Sequence, residues 1–283
     1  MVGVLLTKRR VARWIPTRRP GSHKGDNGRV LVVGGSEQFV GAPALAALAA
    51  LRSGADLAVI AAPEQAAWII NSFSPDLITI KLPGRVLTPR ALQRLGRAVQ
   101  RSDAVVLGPG LGDVPATLRA VRVLLSRLRN KKAVVDADAL KALPSSRLSR
   151  RWVLTPHRGE FERIVGKALS GKRAKDISVM RAWAEKQEVT LLLKSPRDVV
   201  VAPDGKTALN PTGNAGMTVG GTGDVLAGIV GSLLAQGLQP FEAACCAAWI
   251  CGRAGDLCAR EKGYEFVASD VIEKLPEVFA ELR

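Results

Sequence analysis

The stretch from Arg29 to Ala62, "RVLVVGGSEQFVGAPALAALAALRSGADLAVIAA", decides the fold. It opens on the β-branched run "RVLVVGG" (29–35) and closes on a second, "DLAVIAA" (56–62). Between them "APALAALAALRSGA" repeats its apolar residues at helical spacing. Both short runs are apolar on successive residues, as strands are when both faces of their sheet are covered. Strand, helix and strand in this order form a crossover unit with parallel strands.

The alternation continues along the chain. Further strands are predicted at "AVVLGPG" (104–110), "AVVDADA" (133–139), "WVLTPH" (152–157) and "TLLLK" (190–194), with helical patterns in "ALQRLGRAVQ" and "ATLRAVRVLLSRLR". The segment "LLLKSPRDVVVAPDGKTALNPTG" differs, because tight polar links separate its short strands, and it predicts antiparallel hairpins. The expected fold is α/β, with a mainly parallel central sheet, a short antiparallel portion and helices on both faces. No composition break, long linker or internal repeat interrupts the 283 residues, so one domain spanning 1–283 is expected.

Composition narrows the function. No apolar run reaches the roughly 18 residues a membrane helix needs, and "MVGVLLTKRR" is too short in its apolar part for a signal peptide. A soluble, cytoplasmic protein without a membrane partner is expected. The net charge of +16 raises nucleic acid as a partner. However, the basic residues are scattered beyond the N-terminal stretch and no basic run is interleaved with aromatics. A phosphorylated ligand explains the charge better, and nucleic acid is not expected. Cys245, Cys246, Cys251 and Cys258 share one apolar helical stretch without a CxxC pair, and His23 and His157 are the only histidines. Buried structural thiols are expected, not a zinc site.

Nearly every predicted strand ends in a chemically loaded turn: Gly34-Gly35-Ser36, Gly108-Pro109-Gly110, Asp136-Ala137-Asp138 and Thr155-Pro156-His157. In parallel sheets ligands bind beyond the carboxyl ends of strands, so these turns should converge on one site. The glycine spacing at 34, 35 and 41 does not fit a dinucleotide fingerprint, which argues against hydride transfer. Gly220-Gly221-Thr222-Gly223-Asp224 precedes the apolar "VLAGIVGSLLAQG", a helix closed by Gly237. An open helix N-terminus attracts phosphate oxygens, and glycines let phosphate approach the backbone. Asp224 there is either a helix cap or a base that takes a proton from an attacking hydroxyl. A cap does not require the glycines upstream; a phosphate cradle does.

Three other features bear on the site. Asp136 and Asp138, at i, i+2 spacing, would share one side of a strand, with one of them capping the next helix and the other facing a magnesium-bound phosphate. His157 and Glu160, at i, i+3 spacing, either meet a ligand or form a capping box. Lys194, ending an apolar strand, needs a partner, and a nucleotide phosphate would serve.

In sequence order, "SHKGDNGRVLVVGGS", "GPGLG", "VVDADAL", "TPHRGEFERIVG" and "NPTGNAGMTVGGTGDVLAG" resemble the NAD(P)H-hydrate dehydratase family of the ribokinase-like superfamily. The resemblance covers essentially the whole chain, so the dehydratase domain alone is expected, without the N-terminal epimerase domain that the family often carries. It implies a three-layer αβα fold and a carbon–oxygen lyase that repairs nicotinamide cofactors. Its substrate would be the S-epimer of hydrated NADH or NADPH. ADP, or ATP, with Mg²⁺ would be consumed, releasing phosphate and, from ADP, AMP. Carried over by position, Ala42, Gly110, His157 and Asp224 would contact the hydrated cofactor, with Asp224 as the catalytic base. Lys194, Ser195, Pro196, Arg197 and Asp198 would hold the nucleotide. So would the run Asn214, Ala215, Gly216, Met217, Thr218, Val219, Gly220, Gly221, Thr222 and Gly223. Glu160 and Asp136 are the candidate ligands of a magnesium–phosphate unit. Two positions depart from the family pattern: Ser195-Pro196 follows the lysine in place of glycine, and Arg158 follows the histidine in place of proline. The resemblance also implies a homo-oligomer, commonly a tetramer. The alternative enzyme is a kinase of the same fold for a vitamin-like alcohol such as hydroxyethylthiazole or pyridoxal.

Overall fold

The computed structural model describes residues 3–283. Ten strands form one sheet: β1 (Val4–Leu5), β2 (Arg29–Val33), β3 (Leu57–Pro63), β4 (Ile78–Leu82), β5 (Ala104–Leu107), β6 (Lys132–Val135), β7 (Trp152–Leu154), β8 (Thr190–Leu193), β9 (Val199–Val201) and β10 (Thr207–Leu209). Their order is β1-β10-β9-β8-β7-β6-β5-β2-β3-β4. Only β9 runs against the rest, since it pairs antiparallel with both β8 and β10 while every other pairing is parallel. The hairpin segment read from "LLLKSPRDVVVAPDGKTALNPTG" accounts for that single reversal.

Two apolar layers flank the sheet, which gives the three-layer αβα architecture that was expected. Along β2, Val30 and Val32 face one layer and Leu31 and Val33 the other, with all four buried. The first layer contains the helices Gly41–Arg52, Thr222–Ala235, Pro240–Lys262 and Ala268–Leu282. The second contains Pro115–Arg127, Arg158–Val165 and Arg173–Gln187. The four cysteines are free and buried in Pro240–Lys262, as structural thiols should be. No helix among the described residues is long and apolar enough to cross a membrane.

The helix Thr222–Ala235 is the centre of the first layer, and every residue from Val225 to Leu234 is buried. Such a helix needs close neighbours on all sides. Two glycines allow the contact. A Cβ on Gly228 would lie 2.1 Å from the Ala46 carbonyl oxygen, and one on Gly231 would lie 2.4 Å from Val106 Cγ2. The helix therefore rests directly on the backbone of Gly41–Arg52 and on β5. Gly228→Val should cost about 3 kcal/mol, the upper end for forced overpacking. Gly96→Ala, built into open space, should be near neutral. Urea unfolding of both variants checks the difference.

Candidate functional site

Because the strands around β8-β7-β6-β5-β2 are parallel, their carboxyl ends face one edge, and the predicted turns line up there in that order. Adjacent strands are about 4.8 Å apart, so this row is roughly 19 Å long. The strands stop sooner than the apolar runs suggest. β5 ends at Leu107 and β6 at Val135, which leaves Gly108–Gly110 as a turn and Asp136 at the start of a 3-10 helix, Ala137–Ala142.

The turns interlock through missing side chains. The Gly35 N–H donates to the Pro109 carbonyl at 2.8 Å, and a Cβ on Gly34 would sit 2.3 Å from that oxygen. Gly110, at φ +67, lies against Phe39 and Ala42; a Cβ there would be 2.8 Å from Phe39 O and 3.3 Å from Ala42 Cβ. Ala42 and Gly110, both expected to meet the hydrated cofactor, are therefore adjacent. Gly108 rests on the Asp136 carbonyl, where a Cβ would come within 1.8 Å.

Asp136 and Asp138 do not share a strand face, because Ala137 between them takes a left-handed conformation at φ 48. Their carboxylates serve different partners. Asp138 Oδ2 accepts from the Gly112 N–H at 2.9 Å and Oδ1 pairs with Lys141. Asp136 Oδ1 accepts from Lys194 Nζ at 2.9 Å, with the carboxylate 2% exposed and the lysine 22%. Burial works against the Lys194 charge. Asp136, with Glu160 and Asp224 farther off, more than offsets this and raises its pKa. Lys194 is thus a permanent cation at the end of β8. Its Nζ lies beside Gly223, where a Cβ would be 3.3 Å away.

Asp224 occupies the first turn of Thr222–Ala235 but does not cap it. The cap position is Gly221, at φ 94 and pressed between Leu45 and Ala268, and no side-chain cap bond forms. The first-turn N–H groups and the nearby Lys194 give this end a positive field. Burial, and then the Asp136 carboxylate, push the Asp224 carboxyl up to about 7 against the pull of Lys194. A carboxyl poised near neutrality can accept a proton at physiological pH.

His157 and Glu160 form the capping box of Arg158–Val165. His157 Nδ1 accepts from the Glu160 N–H at 3.2 Å, and Glu160 Oε2 accepts from the His157 N–H at 2.8 Å. The other ring nitrogen, Nε2, lies 3.5 Å from Glu160 Oε2. Arg158, in the family's proline position, ties the helix start to Glu162 and the Leu169 carbonyl. No group of three or more His, Cys, Asp or Glu among the described residues forms a ready metal cluster.

A cavity of about 720 Å³ opens beside Lys194. Of the expected nucleotide residues, Lys194, Ser195, Pro196, Asp198, Asn214, Ala215, Met217, Thr218, Thr222 and Gly223 line it, together with His157. Arg197, Gly216, Val219, Gly220 and Gly221 do not reach its wall. Gly216 is instead packed on Phe266, where a Cβ would be 2.4 Å from Cε1. Asp198 shapes the loop. It accepts from the Ser195 N–H and from Asn210 Nδ2, and burial raises its carboxyl against those bonds and the Lys194 charge. Thr212, Gly213, Leu226, Ala248, Cys251 and Gly252 also line the cavity. Thr212 and Gly213 sit within the "NPTGNAG" run. The others come from helix residues whose role depends on packing: Gly252 admits Thr212, whose Oγ1 would be 2.4 Å from an added Cβ. Asp256 anchors this loop by accepting from the Gly213 N–H and Asn214 Nδ2.

A model of NAD(P)H-hydrate dehydratases matches residues 30–277. The chain belongs to the NAD(P)H-hydrate dehydratase family. It is 48% identical over 264 residues to the bifunctional NAD(P)H-hydrate repair enzyme Nnr of Pyrobaculum aerophilum, covering 93% of this chain but only 52% of that protein. It thus spans about half the length of that relative. Another family member, the ADP-dependent (S)-NAD(P)H-hydrate dehydratase of Cenarchaeum symbiosum, is 38% identical over 272 residues, covering 95% of this chain and 94% of that protein. The ADP/ATP-dependent NAD(P)H-hydrate dehydratase of Bacillus subtilis, co-crystallised with ATP/Mg²⁺, superposes with a TM-score of 0.86 at 28% identity over 99% of each chain.

The raised Asp224 pKa has a consequence for stability. Between about pH 4 and 7 the folded protein holds a proton that the unfolded chain has lost, so stability falls as pH rises through that window and the penalty is complete above it. Asp224→Asn carries no such penalty. Its advantage over wild type in urea unfolding should be larger at pH 8 than at pH 5 by about 1 kcal/mol or more. An equal difference at both values would mean that Asp224 titrates as an ordinary carboxyl.

Proposed function

We propose that this chain dehydrates hydrated NADH or NADPH at the expense of a nucleoside di- or triphosphate. The observation that carries this reading is Asp224: a carboxyl held near pH 7, beside the permanently charged Lys194, at the uncapped start of a buried helix. The adjoining cavity takes the nucleotide, with its phosphates directed to the Thr222–Ala235 N-terminus and Lys194. The hydrated ring lies toward Gly110 and Ala42, with His157 Nε2 on its border.

Asp224 takes the proton of the ring hydroxyl as its oxygen attacks the terminal phosphorus, and the remaining nucleotide leaves. The hydroxyl oxygen now belongs to a phosphate ester. The C–O bond breaks, phosphate departs, and a proton lost from the adjacent ring carbon restores the double bond. Lys194 and the helix N-terminus stabilise charge on the transferring phosphoryl group.

Glu160 Oε1 has no hydrogen-bond partner among the described residues, so a hard divalent cation fits there. Magnesium, carried in on the nucleotide phosphates, would be held by this oxygen and would neutralise phosphate charge. Asp136 is the weaker candidate ligand because its carboxylate is committed to Lys194. ADP is the favoured donor by analogy with the C. symbiosum relative, whose name specifies it.

Incubation with hydrated NADH, Mg²⁺ and ADP or ATP should restore the absorbance of the reduced nicotinamide; no recovery with either nucleotide refutes the dehydratase reading. Asp224→Asn should keep nucleotide affinity and lose about 10²- to 10⁴-fold in kcat, the range for a general base. The wild-type rate should rise with pH through about 7 as Asp224 ionises.

A further inference from the structure

A second cavity, of about 710 Å³, lies at the opposite edge of the sheet. Leu57, Val59 and Ile80 form its floor, on the face where Leu31, Ala61 and Val105 are fully buried. These three stay only half-buried. The cause is the connection from β4 to β5, which supplies only a turn at Ala91–Arg94 and the six-residue helix Gly96–Arg101, none of whose residues is buried. The neighbouring crossover supplies thirteen residues, Pro115–Arg127, and closes its part of the layer.

The rim is cationic. Arg94, Arg97 and Arg101 recur on one helical face above the floor, with Lys24 and Arg29 on the other side. Like charges three and four residues apart destabilise a helix unless something answers them. Arg97, Arg101 and Lys24 make no ion pair or side-chain hydrogen bond among the described residues. Arg94 reaches only the Lys81 carbonyl. Asp103, the acid nearest Arg101 in sequence, accepts from the Arg29 backbone N–H, and Asp26, the acid nearest Lys24, accepts from the His23 backbone N–H. This cavity plays no part in the chemistry above, because it sits at the amino ends of β2 and β3. Its lining stops at Leu31 on β2 and Val59 on β3, short of the turns that form the catalytic edge.

We propose that this cavity binds a monomeric anionic amphiphile. An aliphatic body covers Leu57, Val59 and Ile80, and a phosphate or carboxylate head is held by Arg97, Arg101 and Lys24. The floor carries no aromatic ring for a base to stack on, which disfavours a nucleotide or single-stranded nucleic acid. The volume falls within the roughly 300–1,000 Å³ usual for small-ligand pockets.

Titration calorimetry on the full chain tests this with octyl phosphate below its micellar concentration, inorganic phosphate and octyl glucoside. Octyl phosphate should bind at least about tenfold more tightly than either control. The double variant Arg97→Glu/Arg101→Glu, at exposed positions, should lose about tenfold or more of that affinity while melting as wild type does. Equal binding of inorganic phosphate, or full affinity in the double variant, overturns the proposal. So does binding that depends on Arg97 and Arg101 but is seen only with anionic lipid vesicles or duplex DNA.

Discussion

The helix Thr222–Ala235 can lie where it does only because Gly228 and Gly231 carry no side chains. Its contact with the Ala46 carbonyl and Val106 leaves no room for a Cβ at either position. That contact fixes the helix axis against β5 and β6, and so fixes where its first turn emerges at the carboxyl edge of the sheet. An apolar helix buried on all sides has no charged face by which to shift or rotate. Its one charged side chain, Asp224, stands at its N-terminus, and Ser232 near the other end is buried and hydrogen-bonded to the Ala55 N–H.

The placement of Asp224 explains the electrostatics of the site. Lys194 is held at the end of β8 by the buried Asp136 carboxylate, and both lie within reach of Asp224. The arrangement separates two roles for carboxylates that are close in space. Asp136 is committed to the ion pair with Lys194, whereas Asp224 is left desolvated beside that pair and titrates near neutrality. The glycines at 220, 221 and 223 leave the backbone bare around it. Gly220 faces open space, Gly221 adopts a conformation that favours glycine, and Gly223 makes way for the Lys194 ammonium.

Much of this was legible in the sequence. Continuous apolar runs marked the central strands, and the reversed β9 followed from the tight polar links around it. The strand ends were overestimated where an apolar run flowed into Gly108-Pro109-Gly110 or Asp136-Ala137-Asp138, because composition alone does not show where pairing stops. β4 escaped notice because it is an edge strand with Lys81 inside it, and β1 because two residues carry no pattern. In the site, the glycine run and Asp224 stood out, and the glycines already spoke against a simple cap; Gly221, not Asp224, occupies the cap position. The capping box at His157 and Glu160 was visible as a spacing. The Asp136–Lys194 pair and the Asp256 anchor were not: each joins residues distant in sequence, and only the folded sheet brings them together.

In the proposed mechanism the ring hydroxyl leaves as phosphate, with Asp224 having made it a nucleophile. Hydrated NADH labelled with ¹⁸O in that hydroxyl, turned over with unlabelled ADP or ATP, tests this directly. The label should appear in inorganic phosphate, detected by its isotope shift in ³¹P NMR. Label recovered in water, with unlabelled phosphate, would mean direct dehydration and would contradict the mechanism built on Asp224.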